Sequence, residues 1–261
     1  MSPDLSGARA KLSRAQHHLD ALEAEVSQFL QMNPYTVVEE VKYDARDLLG
    51  AAAIAHIFRV HVHRERPEWG LLIGDCVHNL RSSLDHLVWQ LAGGRGNTKT
   101  EFPIARDSKW YESNAPKKFP HVGPDARKII KSFQPCYRRP NDPEGDPLWV
   151  LNDLANIDKH RLLHTTAVAY IPHYGGLPPD KPSDVILGVQ FPMGRRPFHD
   201  GAEIARYNIT RESGEPPPDM KVEVEFAFDI TFDPKGPARG APLLPGIQGL
   251  RNAVFDVLEQ F

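Results

Sequence analysis

The chain has 261 residues, 41% hydrophobic and 25% charged, with a net charge of -3. That length allows a substantial core without covalent staples, and the composition excludes a disordered or fibrous chain. The near-neutral charge excludes a global pull towards nucleic acid or membrane, and two cysteines, Cys76 and Cys136, support neither a disulfide framework nor a thiolate zinc site.

Met1 to Leu12 lacks a continuous apolar stretch, and no run approaches the roughly 18 apolar residues of a membrane span, so the cytoplasm is the expected location. From Ser6 to Met32, Leu12, Ala15, Leu19, Leu22, Val26, Phe29 and Leu30 recur at helical spacing, which predicts a long amphipathic helix ending near Asn33-Pro34. Tyr35 to Tyr43 and Ile54 to Arg64 read as a hairpin with one wet face, because Phe58, Val60 and Val62 alternate with Arg59, His61 and His63. Gly70 to Ala92 carries the clearest helical pattern of the chain. After Gly93-Gly94 a long proline-bearing stretch, Arg95 to Asp146, is expected to be irregular apart from one short helix near Pro124-Asp125. Such an excursion is unusual in a compact domain unless it covers or builds something.

A further helix is expected from Pro147 to His164. Strands follow at Thr165 to Ile171, Val185 to Phe191, Glu203 to Ile209 and Lys221 to Phe232, with turns such as Gly214 to Pro218, and then a last helix at Gly246 to Gln260. Helices and strands are segregated, which predicts an α+β fold: a bundle of about four to five helices packed with a mostly antiparallel β-sheet. We expect one domain over 1–261. Residues 1–164 should be mainly helical with a hairpin at 35–64, and residues 165–261 strand-rich with a C-terminal helix.

At 100° per residue, Ile73, Cys76, Val77, Leu80, Leu84, Leu87, Val88 and Leu91 fill one arc of Gly70 to Ala92. The other arc collects Asp75, His78, Asn79, Arg81, Ser82, Asp85, His86 and Trp89. A solvated face usually carries Lys, Glu and Gln; these mostly short polar groups suit a face held by specific hydrogen bonds. On Pro147 to His164, Asn152, Asn156, Lys159 and His160 form a polar stripe among apolar neighbours. Its natural partners are His78, Asn79 and the rest of the first helix's polar arc, since an unpaired buried group costs about 1 to 3 kcal/mol. Asp158 and Arg161 read as an ordinary surface pair. His160 and His164, four apart, could share one ion from a helix, but the glutamate of the familiar zinc motif is absent.

Between Arg106 and Arg139 stand nine cations, Arg106, Lys109, Lys117, Lys118, Arg127, Lys128, Lys131, Arg138 and Arg139, against three acids. Trp110, Tyr111, Phe119, Phe133 and Tyr137 are interleaved with them. That combination suits an RNA groove, with a solvated basic loop as the simpler reading. His61 and His63 decorate the open face of a strand, and His18 borders the core stripe of the first helix. No phosphate-binding glycine loop, nucleophile elbow or dinucleotide fingerprint occurs, so no cofactor is expected.

The segment Arg81-Ser-Ser-Leu-Asp-His86 resembles the Arg-x4-His motif of the HEPN superfamily. The resemblance implies a homodimer of helical bundles that cleaves RNA without metal, leaving a cyclic phosphate and a 5'-hydroxyl. It implies His86 as general acid or base and Arg81 as phosphate clamp, with Asp85 orienting either one. Imidazole can move a proton near neutral pH and guanidinium can hold a phosphate bidentately, so the residue types fit. The phrases GDCVHNLRSSLDHLVWQL and NIDKHR also resemble those of a group of uncharacterised actinobacterial proteins, which implies no activity. The expectation is therefore a metal-independent ribonuclease. The alternatives are a non-catalytic binding or assembly protein with a buried polar network, and a metal-dependent hydrolase using His160, His164 and Asp85 or His86.

Overall fold

The computed structural model describes residues 3–47, 50–97, 99–172, 176–178, 181–191 and 197–261. Among them are seven α-helices and six β-strands in the order α1 (Ser6–Gln31), β1 (Tyr35–Arg46), β2 (Ala52–Val62), α2 (Gly70–Leu91), α3 (Ser108–Lys118), α4 (Pro124–Ser132), α5 (Pro135–Arg138), α6 (Pro147–Asp158), β3 (Thr165–Tyr170), β4 (Val185–Gln190), β5 (Glu203–Arg211), β6 (Ala227–Phe232) and α7 (Leu243–Leu258). The class is α+β, as the segregated pattern predicts. The chain gathers into two compact units. The first comprises Met1–Val26, Glu68–Thr165 and Phe232–Phe261, and the second Ser27–Pro67 and Thr166–Thr231.

In the first unit α2 packs against α6 and α7, and α6 packs against α7. The contact surfaces follow from the apolar arcs: Ile73, Val77, Leu80, Leu84, Leu87 and Val88 of α2 are fully buried, as are Leu148 and Leu151 of α6 and Val254 and Val257 of α7. Fully burying each such side chain contributes about 1.5 to 3 kcal/mol. The left-handed Gly93, at φ 64°, closes α2 where a side chain would be strained.

The second unit holds an antiparallel four-stranded sheet in the order β1-β2-β5-β4, and a two-stranded sheet of β3 and β6. The hairpin of β1 and β2 forms in the expected place, but its wet face does not extend along β2. Flanked by β1 and β5, β2 buries Ala53 to Phe58 without interruption, His56 included. Alternation in sequence survives only at its end, where Arg59 and His61 are partly exposed.

Other boundaries also differ from the sequence pattern: the strand expected from Lys221 begins at Ala227. The helix expected over Pro147 to His164 stops at Asp158, and the connection beyond it turns, with the amide of His160 donating to the Ile157 carbonyl at 2.9 Å. The excursion after α2 is ordered rather than irregular. Asp107 caps α3 by accepting from the Trp110 amide at 2.6 Å, and prolines open α4 and α5 at positions where a missing N–H costs nothing. The buried Gln134 amide ties the stretch together, accepting from the Ala105 amide at 3.1 Å and donating to the Ile130 carbonyl at 3.0 Å. No helix among the described residues is long and apolar enough to cross a membrane.

Candidate functional site

The polar groups of α2, with Cys76 and Ser83 besides the expected polar arc, divide among three neighbours. Towards α1 the groups are small. Ser83 Oγ donates to the Ala8 carbonyl at 2.7 Å, Cys76 Sγ to the Ala15 carbonyl at 3.7 Å, and Lys11 Nζ to Asn79 Oδ1 at 3.5 Å. His18 Nδ1 lies 3.8 Å from Asp75 Oδ2. His86 reaches the same helix, since a Cβ added at Gly7 would stand 3.0 Å from its Nδ1. Gly7, Ala8 and Ala15 therefore leave room on α1 for these short polar side chains. Burial pushes the Cys76 thiol up to about 12, so it stays an inert, neutral group.

Towards the segment after α2 the arc makes a clamp. Arg81 Nη1 donates to Asp85 Oδ1 at 2.7 Å and Nη2 to the Phe102 carbonyl at 2.8 Å, while the Phe102 amide donates to the same Asp85 oxygen at 2.8 Å. Both peptide groups of Phe102 are thus satisfied by side chains, as a neighbouring strand would satisfy them. The Phe102 ring is fully buried. Burial pushes the Asp85 carboxyl up, opposed by the Arg81 charge and the Phe102 amide.

Towards α6 the contact is made by a residue expected at the surface. A Cβ on Gly74 would collide with the Asp158 carboxylate, whose Cγ would be only 2.8 Å away. The glycine lets the C-terminal turn of α6 approach α2. Burial raises the Asp158 carboxyl above its ordinary 3.8, countered by His78 and reinforced by Asp75. His78 Nε2 in turn lies 3.4 Å from Ser82 Oγ.

The sign of that shift is testable. A raised folded pKa means that ionised Asp158 costs stability above the raised value, and that the cost fades as pH falls through it towards 3.8. Asp158→Asn is expected to unfold at a higher urea midpoint than wild type at pH 7, with the advantage gone below 3.8. An advantage that grew in acid would contradict this.

The expected site residues therefore separate. Arg81 and Asp85 meet, but His86, about 140° further round the helix, faces α1 with an exposed ring. Asn79 is bonded within its own helix and to Lys11, its Nδ2 donating to the Asp75 carbonyl at 2.8 Å. On α6 the expected facing stripe does not form. Asn156, Lys159 and His160 are exposed, with Lys159 Nζ donating to Asn156 Oδ1 at 3.2 Å, because the helix ends before Lys159 and His160 can extend the stripe. The same ending removes the helical spacing that would stack His160 on His164. Among the described residues no three His, Cys, Asp or Glu side chains are grouped to hold one ion.

The basic excursion is charge-matched. Lys118 pairs with Glu101 at 2.5 Å, Lys131 with Glu112 at 2.6 Å, Arg106 with Glu144 at 2.6 Å, Lys128 with Asp125 at 3.2 Å and Arg139 with Asp142 at 3.0 Å. Arg138 lies 3.6 Å from the buried Asp146, which also caps α6 through the Leu148 amide. Arg127 donates to the carbonyls of Phe119, Pro120 and Val122. Lys109 and Lys117 alone of the nine make neither kind of contact among the described residues. Of the interleaved rings Tyr111 and Phe119 are buried, Phe133 is half-buried, and Trp110 and Tyr137 are exposed.

Comparison with protein-family models, with curated proteins and with solved structures gives no match to this chain.

Sequence reasoning missed Asp158, Gly74 and Phe102. A glycine inside the strongest helix was the available signal for the first two, since it marks close approach by a neighbour. Phe102 contributes through its backbone, which no side-chain pattern records.

Proposed function

We propose that this chain is a non-catalytic binding or assembly protein in which the polar faces of α2 fix how its neighbours pack. The observation that supports this reading is the commitment of the Arg81 guanidinium and the Asp85 carboxylate to the peptide groups of Phe102. A phosphate clamp needs guanidinium donors that face a ligand, and acid–base catalysis needs its groups gathered at one substrate. Arg81 is bonded into the fold and His86 faces another helix.

A second reading is the HEPN-like, metal-independent ribonuclease acting as a homodimer on RNA. The exposure of His86 favours it, because a general acid or base must be reachable by its substrate. It requires Arg81 to leave the Phe102 carbonyl and meet the phosphate instead. The discriminating assay incubates the full chain with end-labelled RNA in excess chelator. The binding reading expects no cleavage above the buffer blank, and His86→Ala within about 0.5 kcal/mol of wild-type stability, as for an exposed substitution. Cleavage that leaves a cyclic phosphate and is abolished by His86→Ala would overturn it in favour of the ribonuclease.

A further inference from the structure

The four-stranded sheet of the second unit has two outer strands, β1 and β4, and they are built differently. An outer strand turns a row of unpaired N–H and C=O groups outwards and invites another strand unless something blunts it. β1 is blunted. Glu39, Glu40, Lys42, Asp44 and Arg46 interrupt it, and its register with β2 shifts between Lys42 and Ala45. β4, Val185–Gln190, holds no charged residue and no proline, and all six of its residues pair with β5 without a shift. Its Ile186 and Val189 are 47% and 39% exposed. Among the described residues no strand lies on its other side.

The alternation of an antiparallel ladder fixes which backbone groups are free. The Glu212 amide donates to the Asp184 carbonyl at 3.0 Å, so Asp184 and every second residue after it, Ile186, Gly188 and Gln190, bond towards β5. Val185, Leu187 and Val189 turn their peptide groups to the open edge. Those of Val185 are already met, its amide donating to the Pro182 carbonyl at 3.1 Å and its carbonyl accepting from Lys181 Nζ at 2.8 Å. Among the described residues, Leu187 and Val189 make no such bonds. Between them stands Gly188. Glycine weakens a strand interior and marks places where another backbone comes close. Nothing described within the chain requires it, since a Cβ there would meet only Asn208, at an ordinary 3.7 Å.

We propose that β4 pairs antiparallel with β4 of a second copy of this chain, about a two-fold axis at Gly188. In that register the peptide groups of Leu187 bond to those of Val189 of the second copy, and reciprocally, so the free groups of both residues are satisfied on each copy. The two Gly188 residues face each other as the close, non-hydrogen-bonded pair, with Cα atoms about 4.5 Å apart. Leu187 and Val189 of the other copy lie side by side on one face, an apolar cross-strand contact. A register centred one residue earlier would set Val189 against the Val185 groups that Pro182 and Lys181 occupy. A second copy suits this strand because self-pairing brings no like charges together across the axis. The pairing goes beyond the α2 reading, and each can fail alone: RNA cleavage would leave it standing, and a monomer would leave the clamp.

Sedimentation of the full chain across a range of concentrations should show a reversible monomer–dimer equilibrium. Gly188→Cys places two thiols at a Cα separation within the disulfide range of about 4.4 to 6.8 Å and should give a covalent dimer under mild oxidation. The chain's own Cys76 and Cys136 are buried. Val38→Cys, at a 51% exposed position on β1, should not cross-link. Val189→Lys charges the open edge and should weaken dimerisation at least tenfold, with an unchanged urea midpoint in dilute, monomeric protein. A monomer at every concentration would overturn the proposal. So would a dimer that Val189→Lys leaves intact, or covalent dimers forming as readily through Val38→Cys as through Gly188→Cys.

Discussion

Arg81→Ala is expected to lower the free energy of unfolding by about 3 kcal/mol, read from urea denaturation at neutral pH. An exposed Arg–Asp pair four apart on a helix contributes only about 0.3 to 0.5 kcal/mol, and three features raise this one well above that. The Arg81 side chain is 14% exposed, so its loss leaves the Asp85 charge in a partly dry site. It also removes the donor to the Phe102 carbonyl, and hydrogen bonds to charged groups contribute about 1.5 to 3 kcal/mol each. Asp85, at 34% exposure, keeps some contact with water, which holds the figure to the lower end of the range for broken buried pairs. Arg81→Lys restores the charge without the fork and should recover less than half of the loss.

Gly74→Ala should also destabilise, by about 2 kcal/mol, although alanine in a helix interior normally gains about 1 kcal/mol over glycine. The overpacking term wins here because the new methyl group meets the Asp158 carboxylate, whose short side chain can move little without shifting α6. The double variant Gly74→Ala, Asp158→Ala removes the obstacle and leaves the helical preference, so the sign reverses to a gain approaching 1 kcal/mol. Thermal or urea unfolding of the three proteins measures this. A stabilised Gly74→Ala single variant would show that α6 does not approach α2 as described.

Much of this architecture is legible in the sequence, and the exceptions have physical causes. The apolar arc of α2 repeats at the helical period over six turns, and nearly all of it is buried. The end of α6 is not legible because Leu162 and Leu163 continue the apolar rhythm past Asp158 with no glycine or proline to interrupt it. Leu163 is indeed 3% exposed, but it is buried from the connecting turn. In α3 the opposite happens: Pro116 and a polar composition suggest a loop, yet the helix runs through the proline to Lys118 and forgoes that one backbone bond. The burial of His56 depends on β5 pairing with β2 from about 150 residues away, beyond the reach of any local pattern.

The candidate site divides along the same line. The Arg81–Asp85 pair is readable as residues four apart, but its purpose depends on a backbone segment that arrives from Phe102. The basic excursion shows its surplus of cations in sequence, while Glu101, Asp142, Glu144 and Asp146, which answer several of them, lie outside that window. Local charge therefore overstated the field available to a polyanion.

The most direct test of the clamp is a double-mutant cycle on Arg81→Ala and Asp85→Ala, measured by urea unfolding. A structural clamp predicts strong coupling, of about 1 to 3 kcal/mol, because either single change already breaks the shared hold on Phe102. Additive effects, with each single variant within about 0.5 kcal/mol of wild type, would contradict it and leave Arg81 free for another role.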